Sequence, residues 1–217
     1  MKVFASIVAL VLALGASAAL AQSSGSFNFA SNTTACTDIG GLLGTGITTT
    51  SLSTTLHVSS GNGNALVVRP SAVTGLLTNL SLSGFAGGGS KNASAQASIT
   101  FQVTVTPLSN QAPATVTPSA PVTYDDRFVQ ITTNLFDRIT ECTVADPCTF
   151  SFDETTLSAH SFDYVVTGLS SGNYRITVTW TPSTTAAAPN NAAACVGPVM
   201  LTATQTHIFY QSCGINF

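Results

Sequence analysis

The chain has 217 residues and only 7% of them are charged, six Lys or Arg against nine Asp or Glu, for a formal net charge of −3; soluble domains usually carry about 25%. So few cations exclude a nucleic-acid footprint and a polybasic membrane anchor, which both need clustered Lys and Arg, and 44% apolar content argues against intrinsic disorder. The 25 Ser and 33 Thr take over the solvating role that charges normally play.

Residues 1–21 read as a secretory signal peptide. Lys2 supplies the positive start, Val3 to Leu14 the apolar core, and Ala19-Leu20-Ala21 the small-residue cleavage signal before Gln22. The apolar run reaches the roughly 20 residues of a membrane span only by including that cleavage region. Removal leaves residues 22–217, and a secreted chain makes disulfides the expected state of its cysteines. Cys142 and Cys148 enclose a five-residue turn and form the first expected pair. The second bond joins two of Cys36, Cys195 and Cys213, and spacing alone does not choose among them. Asn32, Asn79 and Asn92 each begin an Asn-x-Ser/Thr acceptor for N-glycosylation in a eukaryotic host.

The mature chain alternates with period two in Val, Ile, Thr, Phe and Tyr, the pattern of half-buried strands. Between Ser98 and Thr106, Ile99, Phe101, Val103 and Val105 share a face; between Tyr174 and Thr181, Tyr174, Ile176, Val178 and Trp180 do. Further strands are expected at Thr54 to Ser59, Ala65 to Pro70, Leu76 to Leu82, Phe128 to Leu135, Cys148 to Phe152, Phe162 to Thr167 and Val199 to Tyr210, roughly nine in all. Thr123 to Ile139 also admits a short helix. Gly- and Asn-rich stretches at 59–64 and 170–173 read as hairpin loops, and longer loops are expected at 84–94, 107–121 and 182–194. The fold class that follows is all-β, an antiparallel β-sandwich, immunoglobulin-like or jelly-roll-like. Residues 22–217 are expected to form a single domain, with two smaller β modules divided near the proline-rich 107–121 as the alternative.

Val165-Val166-Thr167-Gly168-Leu169-Ser170-Ser171-Gly172-Asn173-Tyr174-Arg175-Ile176-Thr177-Val178 resembles the late-strand region of fibronectin type III and related immunoglobulin-like modules, in which a Leu, a Gly and a Tyr lead into an alternating strand. The resemblance implies a sandwich and carries no function with it.

Motifs of chemistry are sparse. Gly168-Leu169-Ser170-Ser171-Gly172 matches the G-x-S-x-G nucleophile elbow, but that elbow requires a following helix, and Tyr174 to Thr181 alternates like a strand. His57, His160 and His207 are widely separated, without metal-ligand spacing. Eight of the nine acids lie between Asp125 and Asp163. Within that segment Asp125, Asp126, Asp153 and Glu154 are the candidate ligands for a structural calcium, which needs six to eight oxygens; a carboxylate pair for glycoside cleavage and a plain solvated surface are the other readings. Tyr124, Phe128, Tyr164, Tyr174, Trp180, Phe209 and Tyr210 are the aromatic candidates for stacking on sugar, although Tyr174 and Trp180 share the apolar face of their strand. The expected function is that of a secreted, non-catalytic component of a cell surface, matrix or host interface, with an extracellular protein or polysaccharide as partner. A carbohydrate-binding, lectin-like module, with calcium assistance in one form, is the second expectation and a secreted hydrolase the third.

Overall fold

The computed structural model describes residues 25–36, 49–60 and 64–207; the signal-peptide segment, Phe209, Tyr210 and Cys213 lie outside the described residues. Ten strands are described: β1 (Phe27–Asn32), β2 (Thr50–Val58), β3 (Asn64–Gly84), β4 (Lys91–Pro107), β5 (Thr115–Thr117), β6 (Val122–Thr133), β7 (Cys148–Ser161), β8 (Tyr164–Thr167), β9 (Gly172–Ala186) and β10 (Asn191–His207). They form two antiparallel sheets, in an all-β sandwich. One has the order β1-β10-β3-β8-β5 with β7 also paired to β3; the other has the order β2-β9-β4-β6.

The alternating stretches become the centre of the sandwich because one face of each is wholly apolar. Ile99, Phe101 and Val103 of β4 lie beside Tyr174, Ile176, Val178 and Trp180 of β9, all nearly or fully buried. The Phe101 ring stacks on Tyr124 at 4.1 Å and on Trp180 at 5.9 Å. From the opposite sheet, the Tyr164 hydroxyl donates to the Phe101 carbonyl at 2.8 Å, so a buried polar group is satisfied while the two sheets are tied together.

Several expectations are corrected. The segments 65–70 and 76–82 belong to one strand, the 21-residue β3. Pro70 lacks a ladder donor but does not end the strand; it sits in the gap along one side of β3 where β8 stops at Val68 and β7 starts at Ser71. By the same logic Pro182 lies in β9 beyond Trp180, the last residue paired with β2, and Pro198 lies in the register shift of β10 between Val196 and Val199. Much of the expected 182–194 loop is therefore strand. β1 and β5 were not foreseen. The 123–139 segment is strand β6 followed by a 3₁₀ turn at Leu135–Arg138.

The Gly/Asn turns at 59–64 and 170–173 are not hairpins. β2 and β9 are in one sheet, while β3 and β8 are in the other, so both turns cross between sheets. Turn chemistry marks where the chain reverses but does not name the strand it then pairs with. The proline-rich segment 107–121 leaves β4, contributes β5 to the facing sheet, and returns as β6, the sheet neighbour of β4.

Cys142 is bonded to Cys148, and Cys36 to Cys195. The second bond fastens the chain after β1 onto β10. Beside it Gly197 has φ +143°, and a Cβ there would run into the Thr34 carbonyl oxygen, so glycine is required where the Cys36 amide donates to the Gly197 carbonyl at 3.0 Å.

Candidate functional site

The polar residues gather where β6, at the edge of one sheet, lies against β3 and β7 of the other. Alternation explains the placement. Asp125 and Arg127 occupy the inner face of β6, opposite Ile99 and Ala97, and Ser158 and His160 occupy the inner face of β7, opposite Thr74 and Ala72 of β3. Polar side chains thus stand at positions that are apolar in the middle of β4 and β9.

Asp125 Oδ2 accepts from Thr74 Oγ1 at 3.0 Å and from Ser158 Oγ at 3.1 Å. Ser158 Oγ lies 2.8 Å from His160 Nε2, which is itself 3.7 Å from Asp125 Oδ2. A serine, a histidine and an aspartate therefore meet, with Asp125 and His160 18% and 32% exposed. Hydrogen accounting shows what they can do. Ser158 Oγ lies within donating distance of the carboxylate, and the direction of its contact with Nε2 follows the imidazole tautomer. A nucleophilic triad has serine donating to one imidazole nitrogen and the acid holding the other. Here acid and serine meet the same nitrogen. The cluster fits a brace between sheets.

Arg127 is the second brace. Its Nη1 donates to the Leu76 and Glu154 carbonyls at 3.3 and 3.1 Å, and its Nη2 to Thr156 Oγ1 at 2.5 Å. Its Nε is 3.7 Å from Glu154 Oε1. The Tyr124 hydroxyl, donating to the Pro70 carbonyl at 2.8 Å, makes a third tie across the same seam. Burial pushes the Tyr124 phenol well above its ordinary range and raises Tyr164 as well.

The four candidate calcium ligands are not brought together. Asp125 faces inward to the cluster just described; Asp126, on the outer face of β6, accepts from Gln96 Nε2 at 3.1 Å; Asp153, on the outer face of β7, is hydrogen-bonded to the Asn79 amide; Glu154 turns to Arg127. Neighbours in a strand point to opposite faces, so Asp125-Asp126 and Asp153-Glu154 cannot each aim both carboxylates at one ion. Among the described residues no three His, Cys, Asp or Glu side chains are grouped to hold a metal. Outside the seam, Asp163 forms a paired contact with Arg69 at 2.5 and 2.6 Å, and the hydrogen bond holds its carboxyl below the usual range.

The other candidates fall as follows. Ser170 belongs to the inter-sheet turn, where the Tyr174 hydroxyl bonds its amide at 3.0 Å and its carbonyl at 3.2 Å. His57 Nδ1 lies 3.0 Å from Asn173 Oδ1. Tyr124, Tyr164, Tyr174 and Trp180 are buried, and Phe128 is exposed. Among the glycosylation acceptors, Asn32 holds the Thr34 amide at 2.9 Å, Asn79 is engaged by Asp153, and Asn92 is exposed. Thr74 and Ser158 were missed from the sequence. The only available signal was Ser158-x-His160, two polar residues on one face of a strand.

A shallow groove of about 290 Å³ lies beside the seam and is lined by Ser71, Ala72, Val73, Ala159, His160 and Met200 among others. Among the described residues no helix is long and apolar enough to cross a membrane. The chain matches no family model and no curated protein.

Proposed function

We propose that the chain is a secreted, non-catalytic extracellular protein that works as an interaction component, presenting a disulfide-braced sandwich to an extracellular protein or polysaccharide. The observation that carries this reading is the seam. Its acid and serine meet the same imidazole nitrogen and join two sheets, and the other three calcium candidates, Asp126, Asp153 and Glu154, turn to separate partners. Two disulfides support residence in an oxidising compartment. Removal of residues 1–21 is part of the same reading.

The test uses the purified secreted chain on chromogenic esters and glycans, and on immobilised extracellular protein and insoluble polysaccharide with and without EDTA. Retention without turnover, unchanged by EDTA, is the expected result. Turnover abolished by Ser158→Ala or Asp125→Asn would overturn the non-catalytic reading. Retention on polysaccharide that is lost on chelation would replace it with the calcium-assisted lectin.

A further inference from the structure

Sheet edges expose unpaired backbone groups, and proteins guard them with Pro, Lys, bulges or short strands. Among the described residues the edges are β1, β2, β5, β6 and β7, and four of them are guarded. β1 and β2 are bridged to each other by Asn28 Nδ2 donating to the Thr55 carbonyl at 2.6 Å and by Thr54 Oγ1 to the Phe29 carbonyl. β5 is three residues long and is followed directly by Pro118. The β6 ladder carries a register shift beside Asp125.

β7 is different. It is 14 residues long and contains no Pro or Lys. It pairs with β3 from Ser71↔Ser161 to Gly84↔Cys148 without a register shift, and among the described residues its other side pairs with nothing. Phe150, Phe152 and Leu157 are 38%, 37% and 61% exposed along it. Its middle carries Asp153 and Glu154, and exposed Glu141 and Asp146 precede it. The Asn79 amide that engages Asp153 is neutral, so that charge is left in place, and Arg127 reaches Glu154 from the inner face alone.

We propose that β7 is a docking edge that accepts an extended, cationic segment of an extracellular partner protein as an added strand. Main-chain hydrogen bonds would give the affinity and alternate side chains the selectivity. Because faces alternate along a strand, apolar residues of the incoming strand would lie against Phe150 and Phe152 on one face, and Lys or Arg would stand opposite Asp153 on the other, an arrangement favoured across strands. A second copy of this chain fits poorly, because antiparallel pairing centred on β7 sets two Asp153-Glu154 pairs side by side. The inference rests on the interaction reading above.

The probe is a fluorescein-labelled, end-capped 12-residue peptide of alternating Lys and Val, titrated with the full secreted chain by fluorescence anisotropy. A second peptide, N-methylated at every residue, keeps the charge but has no backbone donor on either edge and cannot add as a strand. The unmethylated peptide should bind at least about tenfold more tightly, a difference of about 1.4 kcal/mol. It should also slow amide exchange within residues 148–161. Asp153→Lys should weaken it by about fivefold. Equal binding of both peptides, protection away from β7, or no binding would overturn the docking edge. If that happens while the chain is still retained on extracellular protein, the interaction reading stands and this inference alone falls.

Discussion

The centre of the sandwich and the β6–β7 seam obey the same rule of alternation yet are built from opposite materials. At the centre, β4 and β9 turn Phe101, Val103, Ile176 and Trp180 inward, and packing does the holding. At the seam, Asp125, Arg127, Ser158 and His160 occupy inward positions, and directed bonds do it. Apolar contact tolerates small displacements, whereas a seam of hydrogen bonds holds one register and one spacing. A chain with so few charges places three of them, Asp125, Arg127 and Glu154, where two sheets must be aligned.

Truncation at the centre should be the most damaging change. Phe101→Ala removes a ring stacked on both Tyr124 and Trp180, and urea unfolding should show a loss of about 3–5 kcal/mol. Arg127→Ala should cost less, about 1.5–3 kcal/mol for charge-assisted bonds, because two carbonyls and Thr156 lose their donor. If the two losses were reversed, the seam and not the core would carry the fold.

The smallest difference should appear in pH dependence. Tyr124 and Tyr164 are raised by burial, so their contribution is complete below the unfolded phenol value of about 10 and is lost as pH rises past it. Asp163 is lowered by Arg69, so its contribution is present at neutral pH and is lost as pH falls through the acid range. That pair is exposed, and its share should be slight and screened by salt. Thermal melts at pH 3, 7 and 11 in low and high salt would separate the two limits. A salt-insensitive acid limit would count against the Asp163–Arg69 contribution.

The fold was legible wherever one face of a strand was uniformly apolar, as in 98–106 and 174–181. It was lost where a proline interrupted the pattern, because Pro70 marks a gap between two neighbours and not the end of a strand. Connectivity between sheets was illegible, since the Gly and Asn at 59–64 and 170–173 specify a reversal and nothing about its partner. The acidic segment stands out in the sequence as the polar part of the chain, but Thr74, Asn79 and Arg69 of β3 and Gln96 of β4, which hold four of its acids, are far away in sequence. Thr74 in particular carries no local sign that it will meet Asp125.

The Cys36–Cys195 bond has a mechanical consequence. Phe27 stands opposite Thr204 and Asn32 opposite Val199, so tension applied through the segments before Phe27 and after His207 would peel β1 from β10 one residue pair at a time, the weakest way to load a ladder. The peel reaches the disulfide just beyond Asn32, and there the load passes into a covalent bond spanning a sequence separation of 159. Everything between those two cysteines, the seam and the β7 edge included, is then shielded from the pull.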